Sequence, residues 1–183
     1  MKPSDLVSRN AAQYLKQQGL VVVTAESCTA GLIASRLAEV PGAGGILEGA
    51  FVVYDPKAKQ RYLGVRKETM DRYNLTSEEV ALEMARGALA HSDANVAIAN
   101  TGVTDDADPA IRPGTQCFAW VFRTGPLTQE AFTETKVFEG SRNAIREASA
   151  GYALQRVVDL HRSMRNARNQ RARARPELES YSA

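Results

Sequence analysis

The chain contains few of the residues that build metal centres, disulfide frameworks and histidine-based catalytic sites. Its 183 residues include two cysteines, Cys28 and Cys117, and two histidines, His91 and His161. Two cysteines are too few for a disulfide framework or for a zinc site made of cysteines. Both histidines lie in segments with a helical pattern, which argues against a histidine-rich metal centre and against a Ser-His-Asp triad. We therefore expect a reduced, cytoplasmic environment and no metal ion.

Long apolar segments are also absent from the sequence. No run approaches the roughly 20 residues that cross a bilayer, and the N-terminal segment lacks the apolar stretch of a secretory signal. Apolar residues make up 44% of the chain and charged residues 24%, which is typical of a globular domain with a real core. We expect no membrane partner.

Charge is distributed unevenly along the chain, although the net charge is only +2. Residues 162–183 contain six arginines and two glutamates, whereas residues 1–161 have a slight excess of acidic groups. A basic tail on a mildly acidic body, without a stacking motif, is not typical of a nucleic-acid-binding domain. We therefore divide the chain into a domain at residues 1–161 and a basic C-terminal extension at residues 162–183, and we do not expect a nucleic-acid partner.

Apolar runs that alternate with helical patterns predict an α/β fold. Strands are expected at residues 20–24, 46–54, 94–100, 115–123 and 128–138. Helices are expected at residues 4–18, 29–40, from 55 onward, at 76–91 and from 141 past 160. Helices separate the first three strands, as in parallel sheets, and a Gly-Pro turn joins the last two as a hairpin. The order predicts a three-layer α/β/α domain with a mixed, mostly parallel five-stranded sheet that has one antiparallel member.

The first candidate site follows the first predicted strand, in the segment TAESCTAG at residues 24–31. Ligands of open α/β sheets bind beyond the carboxyl ends of the strands. The free N–H groups of the next helix can hold an oxyanion or a phosphate at such a position. Ser27 is there either an exposed nucleophile or, like Thr29, a residue that merely caps the helix. Cys28 is a further candidate nucleophile if its pKa is lowered.

A serine nucleophile needs a base, and a lysine is the natural alternative where no suitable histidine exists. Lys59 lies on the helix expected after the second strand. If the first two strands are neighbours, both following helices begin at the same edge of the sheet, and Ser27 and Lys59 converge. A lysine that acts as a base must be partly desolvated so that its pKa falls. Tyr54, at the strand end, is placed to position a proton or to pack against the pair. The alternative is that Lys57 and Lys59 are solvated surface charges.

A second polar segment follows the third predicted strand, at residues 100–106 with the sequence NTGVTDD. Thr101 offers a hydroxyl, and Gly102 permits close approach of the backbone to a ligand. Three carboxylates stand in or just after this segment, on Asp105, Asp106 and Asp108. They suggest either a metal ion or, as for many acidic loop tips, a solvated surface.

Two arginines stand at the start of the last predicted helix. Arg142 and Arg146 are four residues apart and therefore share one face. A helix N-terminus gains nothing from cations through its dipole, which favours a phosphate or carboxylate partner for them. Ordinary surface arginines are the alternative.

Together these segments resemble the CinA C-terminal-domain family, whose active members are nicotinamide-nucleotide amidohydrolases. The similarity is strongest at residues 24–65 and covers about residues 5–160. It continues through TSEEVALEMARGAL at 76–89, ANTGV at 99–103 and FEGSRNAIR at 138–146. The motif AESCTAG, close to AESCTGG, is quite specific to that family.

The resemblance implies a fold, a reaction and a set of site residues. The fold is a three-layer α/β/α domain with a mixed five-stranded sheet. The reaction is hydrolysis of the carboxamide of nicotinamide mononucleotide (NMN) to nicotinic acid mononucleotide and ammonia, without a metal or an organic cofactor. The implied catalytic residues are Ser27 as nucleophile, Lys59 as base and Tyr54 as their neighbour. The residues implied to bind substrate are Thr29, Gly31, Thr101, Gly102, Arg142 and Arg146. We expect a small-molecule mononucleotide partner and a homo-oligomer.

The sequence departs from the family pattern at several positions. Ala30 replaces the first of two glycines, Asp55-Pro56 stands where Ser-Asn is usual, and Ser141 replaces the aspartate of a Gly-Asp-Arg motif. The largest departure is at residues 102–115, where GVTDDADPAIRPGT replaces a longer glycine-rich loop. Its carboxylates are expected to repel a phosphate unless Arg112 and Arg142 offset them. The alternative to an NMN amidohydrolase is therefore a catalytically weak or silent paralogue that binds a nucleotide-like ligand.

Overall fold

The fold is taken from a computed structural model that describes residues 3–106 and 108–179, with side chains described for 5–106 and 108–172. The helices in these ranges are α1 (Pro3–Gln17), α2 (Leu32–Ala38), α3 (Pro56–Leu63), α4 (Lys67–Tyr73), α5 (Glu78–Ala90) and α6 (Arg142–Glu179). A 3-10 turn at Ala43–Gly45 precedes the second strand. The strands are β1 (Val22–Glu26), β2 (Leu47–Val52), β3 (Val96–Gly102), β4 (Thr115–Arg123) and β5 (Gln129–Val137).

The five strands form one sheet in the order β2-β1-β3-β4-β5. Strand β1 is parallel to both β2 and β3, and β4 is antiparallel to β3 and to β5. Four strands therefore point in one direction and β4 points in the other. The predicted three-layer α/β/α fold with a mixed, mostly parallel five-stranded sheet is confirmed.

Each face of the sheet is covered by a different set of helices. Large side chains such as Phe118 and Trp120 pack with α1, α2 and α6 on one face. Smaller residues of the same strands, such as Ala97 and Ala119, face α5 on the other side. Since side chains of a strand alternate between faces, both faces are apolar, and the three central strands are buried over most of their length. This burial explains the uninterrupted apolar runs in the sequence.

Element boundaries differ from the predicted ones at three places that matter for the site. Strand β1 begins at Val22 and extends through Glu26, so the polar residues that follow it start at Ser27. Helix α2 begins only at Leu32, and residues 28–31 form a turn. Helix α5 begins at Glu78, two residues after the predicted start, and is capped by Ser77, whose hydroxyl accepts the Val80 N–H at 3.3 Å.

Helix α6 crosses residue 161 without interruption, and Arg165 still donates a hydrogen bond to Gln18 Oε1. Met164 is 6% exposed and belongs to the core between α1 and α6, and the guanidinium of Arg162 lies 4.8 Å from the centre of the Tyr14 ring. The last buried apolar position among the described side chains is thus Met164 and not Leu160. Side chains of Arg173 and Arg175 lie outside the described residues, and the division at residue 161 stays a prediction. None of the helices in the described part of the chain has the length and apolarity to cross a membrane.

Candidate active site

Ser27 and Lys59 meet at the carboxyl ends of two neighbouring strands. Ser27 is the first residue after β1, and Glu26 pairs with Val52, the last residue of β2. Helix α3 starts four residues later because Asp55 caps it, accepting the Lys57 N–H at 2.7 Å. This start places Lys59 on the first turn of α3, where its Nζ lies 2.9 Å from Ser27 Oγ.

Lys59 is a buried amine with two fixed acceptors besides the serine. Its Nζ donates to the carbonyl oxygens of Val53 at 2.9 Å and Tyr54 at 3.2 Å, and the residue is 2% exposed. Burial lowers the pKa of Lys59 to about 8, although the nearby Asp55 carboxylate acts in the opposite direction. In the neutral amine the two carbonyls accept both N–H bonds. The lone pair is then left to point at Ser27 Oγ, which is the arrangement that a general base requires.

A buried carboxylate occupies the N-terminus of α2. Glu26 is fully buried and accepts the backbone N–H groups of Gly31 at 2.8 Å, Ile33 at 3.1 Å and Ala34 at 2.9 Å. These are the N–H groups that a helix leaves free at its start, and a negative group is favoured there by the dipole. The expectation that they hold an oxyanion is wrong, because Glu26 already takes them. Neither Ser27 nor Thr29 caps α2, because the N-cap residue of this helix is Gly31.

Two buried amides under the site hold the turn that carries Ser27. The carbonyl of Asn100 accepts the Ser27 N–H at 2.9 Å, and its side-chain oxygen accepts the Thr29 N–H at 3.1 Å. Gln116 accepts from the Asn100 amide at 3.0 Å and donates to Cys28 Sγ at 3.3 Å. Glu26 and Asn100 lie in the predicted candidate segments but were given no role there, and Gln116 was not among the predicted residues. The available signal was a polar side chain within an otherwise apolar, buried strand, which needs a partner in the interior.

Cys28 does not have the properties of a nucleophile. It is 5% exposed and Ser27, contrary to the predicted exposed nucleophile, is 7% exposed, so exposure does not separate the two. Burial, however, raises the pKa of the thiol above its usual value of 9.0. A protonated thiol is a weak nucleophile. Of the two candidates that the sequence left open at this turn, the geometry favours Ser27.

Arg142 joins three segments at the mouth of the site. Its guanidinium donates to Tyr54 Oη at 2.8 Å, to Thr104 Oγ1 at 2.8 Å and to a carboxylate oxygen of Asp105 at 2.8 Å. The charge of Arg142 lowers the pKa of the Cys28 thiol and that of Asp105 raises it, although burial, which raises it, is the largest effect.

Arg146 is committed to the backbone of the same turn. It donates through Nε to the Cys28 carbonyl and through a terminal nitrogen to the Thr29 carbonyl, both at 3.1 Å. Its other terminal nitrogen reaches Asn143 Oδ1 at 3.3 Å. Arg146 therefore clamps the turn, and its predicted contact with substrate stays a prediction.

The model of one protein family, the CinA C-terminal domain, matches residues 5–161 of the chain. The chain belongs to the CinA C-terminal domain family.

Curated relatives of this CinA-family chain fall into two size classes. A CinA-like protein from Akkermansia muciniphila is 40% identical over 151 residues, which cover 81% of this chain and 36% of that protein. Relatives of that class are thus spanned by the present chain over only about a third of their length. The nicotinamide-nucleotide amidohydrolase PncC from Escherichia coli K12 is 37% identical over 159 residues, 85% of this chain and 94% of that protein.

Solved structures with the same fold include other members of the CinA superfamily. One from Klebsiella pneumoniae superposes with a TM-score of 0.81 at 27% identity and covers 86% of this chain and 97% of its own. The competence/damage inducible protein CihA from Agrobacterium tumefaciens gives a TM-score of 0.79 at 32% identity, covering 88% and 97%.

The turn after Ser27 contains two consecutive residues with a left-handed backbone. Ala30 has a φ of 51° and Gly31 a φ of 93°, and a left-handed backbone is unfavourable for a residue with a Cβ. Gly31 meets that need without strain, whereas Ala30 does not. The predicted role of Gly31 in substrate binding stays a prediction, since its N–H is bound to Glu26.

The remaining predicted binding residues of this CinA-family domain lie at the end of β3 and in the Ser27 turn. Thr101 is 2% exposed and donates its hydroxyl to the Leu75 carbonyl at 2.9 Å. Gly102 lies against Gln116, which leaves no room for a Cβ. Thr29 Oγ1 is buried and has no hydrogen-bond partner among the described residues. Within the described ranges, no three His, Cys, Asp or Glu side chains group as metal ligands do.

Proposed function

We propose that this domain hydrolyses the carboxamide of nicotinamide mononucleotide to nicotinic acid mononucleotide and ammonia, with Ser27 as nucleophile and Lys59 as base. The observation that carries the proposal is the 2.9 Å contact between Lys59 Nζ and Ser27 Oγ. The name of the Escherichia coli relative, a nicotinamide-nucleotide amidohydrolase that this chain matches over 94% of its length, supports the substrate class.

The first half of the reaction forms an ester on Ser27. The neutral Lys59 amine takes the hydroxyl proton while Oγ attacks the carboxamide carbon, giving a tetrahedral intermediate with a negative oxygen. Collapse of this intermediate breaks the C–N bond, and the proton held by Lys59 passes to the leaving nitrogen, which departs as ammonia. Because burial lowers the pKa of Lys59 to about 8, the amine can both accept and return a proton near neutral pH.

The second half of the reaction uses water as its only further reactant. Lys59 takes a proton from water, the resulting hydroxide attacks the ester carbonyl, and the C–O bond to Ser27 breaks. Ser27 recovers the proton from Lys59, and the product, formed as a carboxylic acid, loses its acid proton to solvent and leaves as a carboxylate. The reaction needs no other co-substrate.

The negative oxygen of the intermediate needs a hydrogen-bond donor, and in this proposal the Cys28 N–H supplies it. It follows the nucleophile directly and donates no hydrogen bond to the residues that the structure describes. A single donor of this kind is worth about 3 kcal/mol of transition-state stabilisation. The N–H groups at the start of α2 are not available for this purpose because they are bonded to Glu26.

The remaining residues have positioning or binding roles in this proposal. The backbone carbonyl of Tyr54 orients the Lys59 amine, and its phenol holds Arg142 over the site. Arg142 is the cation available to the anionic part of a substrate. We keep the sequence-based proposals for Thr29, Gly31, Thr101, Gly102 and Arg146, and those of a cytoplasmic location and a homo-oligomeric state.

A catalytically weak relative that binds a nucleotide-like ligand is the second candidate. The ion pair between Arg142 and Asp105 favours it, because the cation expected to bind a phosphate already has a carboxylate partner.

Ammonia release from NMN, from its riboside and from other small amides tests the proposed function. The proposal predicts release from at least one nicotinamide-containing substrate, and loss of that release in Ser27→Ala. A protein that binds these compounds and releases no ammonia from any of them belongs to the second candidate.

A further inference from the structure

The mouth of the site contains a carboxylate where an anionic ligand of Arg142 is expected. Asp105 presents an oxygen 2.8 Å from a terminal nitrogen of Arg142, and Thr104 Oγ1 accepts from the same nitrogen at 2.8 Å. The other terminal nitrogen is bonded to Tyr54 Oη. A guanidinium binds a phosphate with the same two ends of its fork. In this chain both ends already have partners, and one of those partners carries a negative charge.

The position of Asp105 is imposed by the loop that carries it. Just before Asp105, the Val103 N–H donates to the Thr115 carbonyl at 3.0 Å. Beyond Asp105, the Asp108 carboxylate accepts from the Asn74 amide at 2.8 Å and from the Ala110 N–H at 2.9 Å. The loop is thus fastened on both sides of Asp105. These bonds fix the course of the loop around Asp105, whose side chain is 51% exposed in its ion pair with the 54% exposed side chain of Arg142.

The end of the same loop is fastened to the segment before α6. The Phe138 N–H donates to the Gly114 carbonyl at 3.0 Å. Gly114 has a φ of 83° and approaches the Phe138 carbonyl so closely that no Cβ fits. Because Phe138 lies only four residues before Arg142, this contact holds the end of the loop close to the segment that carries the arginine.

We infer that Asp105 is a specificity-determining residue that acts as a built-in anion on Arg142 and weakens the binding of phosphate-bearing substrates such as NMN relative to the uncharged riboside. This inference rests on the proposed function, since it concerns the ligand of the Ser27 site. A phosphate that approaches Arg142 must displace a carboxylate already bonded there, and it remains close to that carboxylate afterwards. Like charges at such distances oppose binding. An uncharged riboside meets neither obstacle.

Other nearby cations do not replace Arg142 as a phosphate ligand. Arg146 gives its donors to the Cys28 and Thr29 carbonyls and to Asn143. Lys59 is buried, and its Nζ faces Ser27 and two backbone carbonyls. The affinity for an anionic substrate therefore depends on the competition between the substrate and the Asp105 carboxylate for the Arg142 guanidinium.

The test compares the affinities for NMN and nicotinamide riboside, measured by calorimetry in a Ser27→Ala background so that turnover does not interfere. Asp105→Asn keeps the size and the hydrogen-bonding oxygen of the side chain and removes its charge. We expect it to tighten NMN binding about tenfold or more and to leave riboside binding within about twofold. Asp106→Asn removes the same charge from the neighbouring exposed residue and serves as the matched control, with little effect on either ligand.

Several results would overturn the inference. The first two are an unchanged NMN affinity in Asp105→Asn and no detectable NMN binding by that variant. The others are an equal increase in affinity for NMN and for the riboside, and an increase in NMN affinity in Asp106→Asn as large as that in Asp105→Asn. The proposed function is judged separately, by ammonia release in proteins that retain Ser27. If Asp105→Asn selectively tightens NMN binding but no protein with Ser27 releases ammonia, the inference is supported and the proposed function is rejected. If ammonia is released but NMN binding is not selectively tightened, the function is supported and the inference is rejected.

Discussion

The amine of Lys59 lies 2.9 Å from the hydroxyl of Ser27, although 32 residues separate the two along the chain. The contact follows from topology, because β1 and β2 are adjacent and parallel and each is followed by a turn at the same edge of the sheet. Ser27 comes directly after β1, and Lys59 lies on the helix that follows β2. The fold thus brings together a nucleophile and a desolvated base without a histidine.

Replacing Lys59 by methionine is expected to lower the rate of ammonia release by on the order of a thousandfold, because the base is removed while a side chain of similar length is retained. Lys57→Ala is the matched control, since Lys57 is exposed and lies two residues away on the same helix. It should keep nearly the full rate. Steady-state kinetics of the two variants decide the assignment, and similar rates for both would show that Lys59 is not the base.

The reaction rate is expected to rise as the pH increases through about 8. Burial lowers the pKa of Lys59 to about that value, and only the neutral amine can accept the serine proton. A kcat/KM profile for nicotinamide riboside over the range from about pH 6 to 9.5 should show this single ascending limb, because kcat/KM reports the pKa values of the free enzyme, and Lys57→Ala should show the same limb. A rate that is flat or falls across this range contradicts the role given to Lys59.

Stability should depend on pH through the same group. The pKa of Lys59 is about 8 in the folded protein against 10.5 for the ordinary side chain, so between these values the unfolded chain binds more protons. Stability then increases with pH in that interval. The difference in unfolding free energy between the native protein and Lys59→Met, measured by denaturant titration, should shift in favour of the native protein from pH 8 to 10. No shift would mean that the amine is not desolvated.

Parts of this site were predictable because the signals are local. The dipeptide Asp55-Pro56 is a helix-start signature, and Asp55 does cap α3. The start of α3 then sets where Lys59 lies, so the convergence with Ser27 required only that two consecutive strands be neighbours. The five strands and the terminal hairpin followed in the same way from apolar runs and a Gly-Pro turn.

Other parts of the structure were not predictable, because local sequence rules do not describe the hydrogen-bond partners of buried polar side chains or helices without an apolar stripe. Glu26, the last residue of the buried strand β1, accepts N–H groups at the start of a helix that begins six residues later. No local capping rule describes this arrangement. Arg146 resembled a ligand-binding cation, yet its donors go to backbone carbonyls of the Ser27 turn. Helix α4 was missed because its seven residues, KETMDRY, are mostly polar and show no clear apolar stripe.

Ala30→Gly is expected to stabilise the protein by about 1 kcal/mol, because Ala30 has a left-handed backbone with a φ of 51° that costs a residue with a Cβ about that much. The gain should raise Tm by about 2–4 °C. Ala148→Gly is the control: it lies on the exposed side of α6, where glycine should cost about 1 kcal/mol. Thermal unfolding checks both, and a lower Tm for Ala30→Gly would show that the turn is not strained.

Truncation after Leu160 is expected to destabilise the domain, whereas truncation after Asn169 should leave Tm nearly unchanged. The shorter chain loses Met164 from the core and Arg162 from the Tyr14 ring, and deletion of a buried methionine side chain alone costs about 2 kcal/mol or more. Met164→Ala in the full chain should reproduce most of the loss. Equal Tm values for both truncations would mean that residues 161–169 contribute nothing to the fold.

Ammonia release by Ser27→Ala, with NMN and with nicotinamide riboside at saturating concentrations, tests the central claim most directly. Alanine removes only the hydroxyl, so the fold should persist, and an unchanged far-UV spectrum and Tm within a few degrees verify this. The account predicts that the rate falls by on the order of a thousandfold or more with either substrate. A folded Ser27→Ala protein that releases ammonia at the native rate would contradict it.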